Sequence, residues 1–212
     1  MGPGLAEEFP ALRSLDALPH NLPVQLTSFI GREREQGEVK GSLSNLAHSV
    51  WHDGKLDEAQ VMLDDLVGTA ADLSGQERLM ALWTLALIAR DRNDYAVARQ
   101  YCREALAIGR ASNELRYTSH LLETFAWLDA REYPRRAALL LGAAETLRER
   151  INYPLPRSHQ GDYDRPAEAI IGALGEEGFK AAKAEGRALR LEDAVQMVMD
   201  QEEHRPEITG GR

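Results

Sequence analysis

The chain is poor in cysteine and in aromatic residues, and both shortages narrow the class of protein. Its single cysteine, Cys102, cannot form an internal disulfide, so a reducing compartment is expected. Only 6% of the residues are aromatic although 43% are hydrophobic, and alanine and leucine dominate the apolar set. Closely packed helices use these residues, whereas sheet proteins favour β-branched and aromatic side chains. The composition predicts an all-α protein with Cys102 as a buried small hydrophobe.

Long apolar runs and an excess of positive charge are also missing. No segment approaches the roughly 18 to 20 apolar residues that span a bilayer, and the first ten residues lack the features of a secretory signal. The formal net charge of −9 argues against a general binder of nucleic acids or anionic membranes, because it repels phosphates. We therefore predict a cytoplasmic protein that contacts neither membranes nor nucleic acid directly.

One stretch of the chain is locally basic. A solvated helix face paired with nearby glutamates is the favoured interpretation, and nucleic-acid contact is the alternative. Its arginines are Arg131, Arg135, Arg136, Arg148 and Arg150.

Motifs for catalysis and cofactor binding do not occur. The string closest to a phosphate-binding loop, "GEEGFK" at 175–180, has two acidic residues where phosphate would lie. His48 and His52 stand four residues apart, but no third metal ligand accompanies them. Ser158 and His159 lie in a proline-flanked loop without a candidate acid. We predict a non-catalytic protein with no catalytic residue, no cofactor, no nucleotide and no metal site.

The middle of the chain repeats with a fixed period. The segments "GKLDEAQVML", "NDYAVARQYC" and "EYPRRAALLL" align at Ala59, Ala98 and Ala137, which are 39 residues apart. A period in this range, with two amphipathic helices per unit, is typical of a helical solenoid. Small residues at the aligned positions allow two helix axes to approach closely. Helix pairs are predicted over 31–150.

The two ends of the chain lack this period. Residues 1–30 contain four closely spaced prolines, which predict an extended arm rather than a helix. We expect its apolar residues Leu26, Phe29 and Ile30 to pack loosely on the first repeat.

A helical cap is predicted at the other end. About three shorter helices are expected over 151–204, after the break at Pro154-Leu155-Pro156. Residues 205–212 are predicted to form a disordered tail.

The repeats resemble the tetratricopeptide repeat. The second unit matches its pattern of a large apolar residue, a Leu-small pair, a turn with an aromatic residue, and Ala early in the second helix. The resemblance implies an all-α solenoid with an extended N-terminal arm and a helical C-terminal cap. It rests on Leu82, Leu85-Ala86, Asn93-Asp94-Tyr95, Ala98 and Ala105-Leu106.

Both ends resemble a larger class of bacterial protein. Both regions are similar to LuxR-family regulators and nucleotide-cyclase fusions of the signal-transduction ATPase type. The similarity rests on "AALLLGAAETLRE", "PLP", "DYDR" and "LGEEGFKAA", and on "FPALRSLDALPHNLPVQLTSFIGRERE" near the start. In that family the front motif leads into an ATPase, and the rear repeats sense partners. The ATPase motif is missing here, so the resemblance implies a remnant that lost the ATPase between Lys40 and Ser42.

The tetratricopeptide resemblance also implies a partner site. The first helix of each unit lines a concave groove in that family, and the matching positions hold two tryptophans, a methionine and an arginine. Such mixtures anchor peptide ligands; the alternative is that Trp51 and Trp83 pack between helices. The implied groove residues are His48, Trp51, His52, Met80, Trp83, Leu87, Arg90 and Leu122.

Three hypotheses of function follow. The first is a non-catalytic module that binds a protein or peptide in the concave groove. The second is a LuxR-type ATP-dependent transcriptional regulator whose ATPase and DNA-binding parts are absent or supplied in trans. The third is a decayed fusion remnant with no partner.

Overall fold

The computed structural model of the protein describes residues 43–68 and 73–200. Every regular element in these two ranges is helical, and they contain no strand, which confirms the all-α prediction there. None of the helices in these ranges combines the length and hydrophobicity needed to cross a bilayer. The predicted arm at 1–30 and the predicted tail at 205–212 lie outside the described residues.

The helices follow one another with short connections. A break inside α7 lies at Gly175, whose φ of 72° is outside the helical region and is accessible to glycine at little cost. The elements are α1 (43–52), α2 (Leu56–Gly68), α3 (Gly75–Asp91), α4 (Tyr95–Ala111), α5 (Leu115–Asp129), α6 (Pro134–Arg150), a 3₁₀ turn (Arg157–His159), α7 (Gln160–Ala188) and α8 (Leu191–Met199).

Local sequence explains where these helices begin and end. Ser74 precedes α3 and forms a capping box, in which its hydroxyl accepts from the Glu77 N–H and the Glu77 carboxylate accepts from the Ser74 N–H. Asn93, Asn113 and Asn152 follow α3, α4 and α6 with φ between 52° and 63°. Asparagine tolerates this left-handed conformation better than most residues, so each one ends a helix.

Successive helices pack against each other along the chain, including α3 with α4 and α5 with α6. The aligned repeat residues Ala59, Ala98 and Ala137 are all fully buried. Large side chains such as Leu63 and Phe125 fill the core between the helices without any exposed surface. The small residues therefore lie where close helix contact requires them.

Helix α6 and the second half of α7 approach each other at backbone distance. A Cβ added to Gly142 would lie 2.1 Å from the Lys183 carbonyl oxygen, and one added to Gly186 would lie 2.0 Å from the Leu139 carbonyl oxygen. The two backbones therefore touch directly, which only glycine at these positions allows. This contact holds α7 along α6.

Candidate functional site

Helices α1, α3 and α5 contribute to one surface, which we call the inner face. It consists of His48 and Trp51 from α1, Trp83 and Arg90 from α3, and His120 from α5. Spacings of three residues in α1 and seven in α3 bring the members of each helix to the same side. The candidate site is built on this surface.

Trp83 lies at the centre of the inner face between two imidazole rings. Its ring centroid is 4.9 Å from that of His48 and 4.7 Å from that of His120, with interplanar angles of 26° and 17°. The indole N–H donates to the Thr124 hydroxyl at 3.2 Å. Because its one polar group has a partner, the tryptophan can be buried at little cost.

His48 has a fixed hydrogen-bonding role in this stack. The Thr84 hydroxyl donates to the Met80 carbonyl at 3.0 Å, and it lies 3.2 Å from Nδ1 of His48. Since the hydroxyl proton is already used, His48 donates from Nδ1 and Thr84 accepts.

Residues 157–163, which we call the covering segment, lie over the inner face. The segment comprises the 3₁₀ turn and the first turn of α7. His159 stacks on the central ring, with its centroid 5.8 Å from that of Trp83 and an interplanar angle of 15°. It also lies 5.1 Å from the His120 ring. The covering segment therefore shields the centre of the inner face.

Polar contacts hold both flanks of the covering segment. On the α1 side, Nε2 of His52 lies 3.2 Å from the Ser158 carbonyl oxygen, which can only accept. On the α5 side, the hydroxyl of Tyr153, four residues before the segment begins, lies 3.3 Å from Nε2 of His120. These contacts position His159 between the two helices.

Arg90 provides the charged part of the site. Its side chain is 4% exposed and lies 3.0 Å from a carboxylate oxygen of Asp162 and 2.8 Å from one of Asp91. The guanidinium also stands over two aromatic rings, 5.8 Å from the centroid of Trp51 and 5.0 Å from that of Trp127. A buried arginine needs such partners, and Asp162 links it to the covering segment.

The three stacked imidazoles are poor bases in this environment. Burial and, to a smaller extent, the neighbouring imidazoles together lower the pKa of His48 and of His159 from 6.5 to about 4. Burial, followed by the charges of Arg148 and Arg116, lowers the pKa of His120 to about 3. All three rings are therefore neutral near pH 7, so they stack and hydrogen-bond rather than carry charge.

A buried ion pair lies beside His120. Glu123 lies 3.5 Å from Nδ1 of His120, and such a carboxylate would raise the imidazole pKa. Glu123 also pairs with the buried guanidinium of Arg148, and this pairing neutralises the Glu123 carboxylate. The lowered pKa of His120 is consistent with this pairing.

The predicted groove residues contribute to this surface, but most of them are covered. The sequence left open whether Trp51 and Trp83 line a groove or pack between helices, and both are buried, with 6% and 5% of their surface accessible. Leu87, Arg90 and Leu122 are buried as well. The physical reason is that neighbouring helices and the covering segment enclose them.

The other predicted positions are more accessible. His48 and Met80 are half-buried, and His52 is exposed. His48 and His52 do not act together, because one contacts Thr84 and the other contacts Ser158.

Sequence reasoning missed three members of the site. His120, His159 and Asp162 were not among the predicted groove residues, although His159 and Asp162 follow the Pro154–Pro156 break at close spacing. No sequence pattern specified which surface the chain would cover after this break.

Two further features bear on chemistry. Cys102 is fully buried, as predicted, and burial raises its thiol pKa to about 12, so the reactive thiolate is scarce near neutral pH. Among residues 43–68 and 73–200, no group of three or more His, Cys, Asp or Glu side chains is arranged to hold a metal ion. The site offers ring stacking, hydrogen bonds and one buried cation.

Comparison with known proteins gives a distant match to transcription regulators. The chain is 29% identical over 123 residues to proteins named as HTH-type transcriptional regulators of Mycobacterium tuberculosis and Mycobacterium bovis. The match covers 58% of this chain but only 14% of each relative. No family model matches the chain, and no solved structure matches it.

Proposed function

We propose that the chain is a non-catalytic helical-repeat module that binds a segment of a protein partner on its inner face. In this proposal the helix pairs form a tetratricopeptide-like solenoid, and α1, α3 and α5 line its concave side. The site would recognise the partner through ring stacking and one ion pair. Peptide recognition of this kind uses a few buried anchors.

The observation that carries the proposal is the position of the covering segment. Its residues lie on the inner face in the manner of a peptide ligand, with His159 stacked near Trp83 and Asp162 paired with Arg90. A surface that accommodates this segment of its own chain has the shape and polar groups to accommodate a similar segment of another protein.

The same contacts define the chemistry of the partner. The partner segment would present a flat ring to Trp83 and, three residues later, a carboxylate to Arg90. It would have to displace the covering segment, so its apparent affinity is reduced by the fraction of molecules in which that segment is closed.

The distant match to HTH-type regulators supports a regulatory setting for this module. We propose that it descends from the helical part of a transcription regulator of the signal-transduction ATPase type, and that its partner belongs to such a system. The ATPase and DNA-binding activities would then be supplied in trans.

The test measures peptide binding to the inner face after the sequence of the covering segment has been replaced. An open variant has residues 154–162 replaced by glycine and serine at equal length, and its helicity is checked by circular dichroism. A fluorescein-labelled peptide of residues 153–164 is then titrated against it by anisotropy. We expect saturable binding to the open variant and much weaker binding to the unaltered chain, whose inner face is covered.

A matched peptide carrying His159→Ala and Asp162→Ala serves as the control. It should bind the open variant roughly tenfold more weakly or worse, because it lacks both anchors. If the helical open variant binds neither peptide, or binds both equally, the inner face is not a site for protein segments.

A further inference from the structure

A second surface concentrates positive charge at the end of the molecule where α4 begins. A broad cleft there is bordered by α4, the α5–α6 turn, α6, α7 and α8. We call it the arginine cleft after the five arginines that line it, which outnumber its two acidic residues, Glu132 and Asp200, although the chain as a whole carries a net charge of −9. The arginines are Arg99, Arg103, Arg131, Arg136 and Arg165.

Two of these arginines are held in place by one buried carboxylate. Asp129 has no exposed surface, and its two oxygens accept from Nη1 of Arg99 at 2.5 Å and from Nε of Arg136 at 2.7 Å. Arg99 also donates to the Leu128 carbonyl oxygen at 2.9 Å. Because their rotamers are fixed before a ligand arrives, these guanidiniums lose little entropy on binding.

The cleft also has exposed positive charge. Arg131 and Arg165 are exposed, and neither has an ion-pair partner within the described ranges. They stand on different elements, the α5–α6 turn and α7, and both line the cleft. Like charges gathered around one cleft attract anions more strongly than isolated surface charges do.

Apolar and aromatic side chains lie between the arginines. Trp127, Pro166 and Met197 line the cleft together with Tyr133, which is 48% exposed. The Arg136 guanidinium lies 4.4 Å from the centroid of that ring. A small inorganic anion would use only the charges, whereas a peptide with both acidic and apolar side chains would use both kinds of surface.

We propose that the arginine cleft binds an acidic segment of a protein partner, with its carboxylates on the arginines and its apolar side chains against Trp127 and Met197. This site is separate from the inner face and does not depend on the covering segment. A nucleic acid fits less well, because its longer and more highly charged backbone would extend beyond the cleft and meet the excess negative charge of the chain, whereas a short acidic segment stays within the cleft.

The experiment measures binding of a defined probe to the full chain. The probe is a fluorescein-labelled peptide of alternating glutamate and leucine, and its control has glutamine in place of glutamate. We expect the acidic peptide to bind and the glutamine peptide not to bind. The double variant Arg131→Glu and Arg165→Glu should weaken binding roughly tenfold or more, since it reverses both exposed charges.

A matched charge reversal serves as the protein control. Arg78→Glu changes another exposed arginine in the first helical turns of α3, away from the α4 end where the cleft lies, and should leave the affinity nearly unchanged. If the double charge reversal lowers helicity, Arg131→Gln with Arg165→Gln replaces it, and a several-fold loss is expected.

Four results would overturn the proposal. The acidic peptide does not bind, or binds the double variant as tightly as the unaltered chain. Inorganic phosphate at equal charge competes as well as the peptide, which would indicate a small-anion site. A single-stranded DNA oligonucleotide binds more tightly than the peptide, which would indicate a nucleic-acid site. None of these results affects binding of the 153–164 peptide to the open variant, so the two proposals fail independently.

Discussion

Acidification should destabilise this protein well above the pH at which carboxylates titrate. His48, His120 and His159 are largely desolvated around Trp83, and the pKa of each is lowered from 6.5 to about 4, about 3 and about 4. In the unfolded chain these imidazoles take up protons near pH 6.5, whereas in the folded chain they stay neutral. The unfolded state binds more protons, so stability falls as pH decreases from about 6.5 to about 4.

The size of the effect follows from these shifts. Between about pH 8 and pH 5, an imidazole with an unfolded pKa of 6.5 and a folded pKa near 4 lowers the free energy of unfolding by about 2 kcal/mol. His120, which is 4% exposed, therefore accounts for a loss of about 2 kcal/mol. His48 and His159 are only half-buried, so water screens them and their contributions are smaller.

Urea denaturation followed by circular dichroism at a series of pH values measures this loss. The variant His120→Gln should reduce the slope of stability against pH by about one proton, because it removes one titrating group. A free energy of unfolding that stays level from about pH 8 to pH 5 would refute the burial of these rings. A slope of stability against pH that is the same in His120→Gln as in the unaltered chain would refute it as well.

Three substitutions and one control, Gly172→Ala, test the packing, each by urea denaturation. Gly186→Ala drives a Cβ into the Leu139 carbonyl and should lower the free energy of unfolding by about 1–3 kcal/mol. Gly172→Ala, whose Cβ would have no atom within 4 Å, should raise it by about 0.5–1 kcal/mol. Equal effects would contradict the direct backbone contact. Asp129→Ala leaves two guanidiniums without their buried partner and should cost about 3–5 kcal/mol. Trp83→Ala should cost about 3–5 kcal/mol, and a change below about 1 kcal/mol would show that this side chain is not a core residue.

The helices were predictable because they depend on local pattern. Period and small-residue spacing indicated buried contacts at Ala59, Ala98 and Ala137, and all three are buried. Breakers such as Asn93 indicated the turns, because a left-handed residue ends a helix wherever the rest of the chain lies.

The covered site was less predictable because it depends on contacts between distant residues. Trp83 meets His159 across 76 positions of sequence, and the repeat pattern carries no information about that distance. The pattern placed Trp83 on the first helix of its unit and left open whether it faces solvent or a second element. Trp83 is covered because the chain returns over it after the Pro154–Pro156 break.

The measurement that tests the central claim most directly is a double-mutant cycle between the open variant and the 153–164 peptide. The chain carries Arg90→Met, the peptide carries Asp162→Asn, and calorimetry measures all four combinations on chains of unchanged helicity. If the inner face binds a protein segment as it binds its own, the coupling energy between the two changes should be about 1 kcal/mol or more. Strictly additive effects would show that the peptide binds elsewhere and would contradict the account.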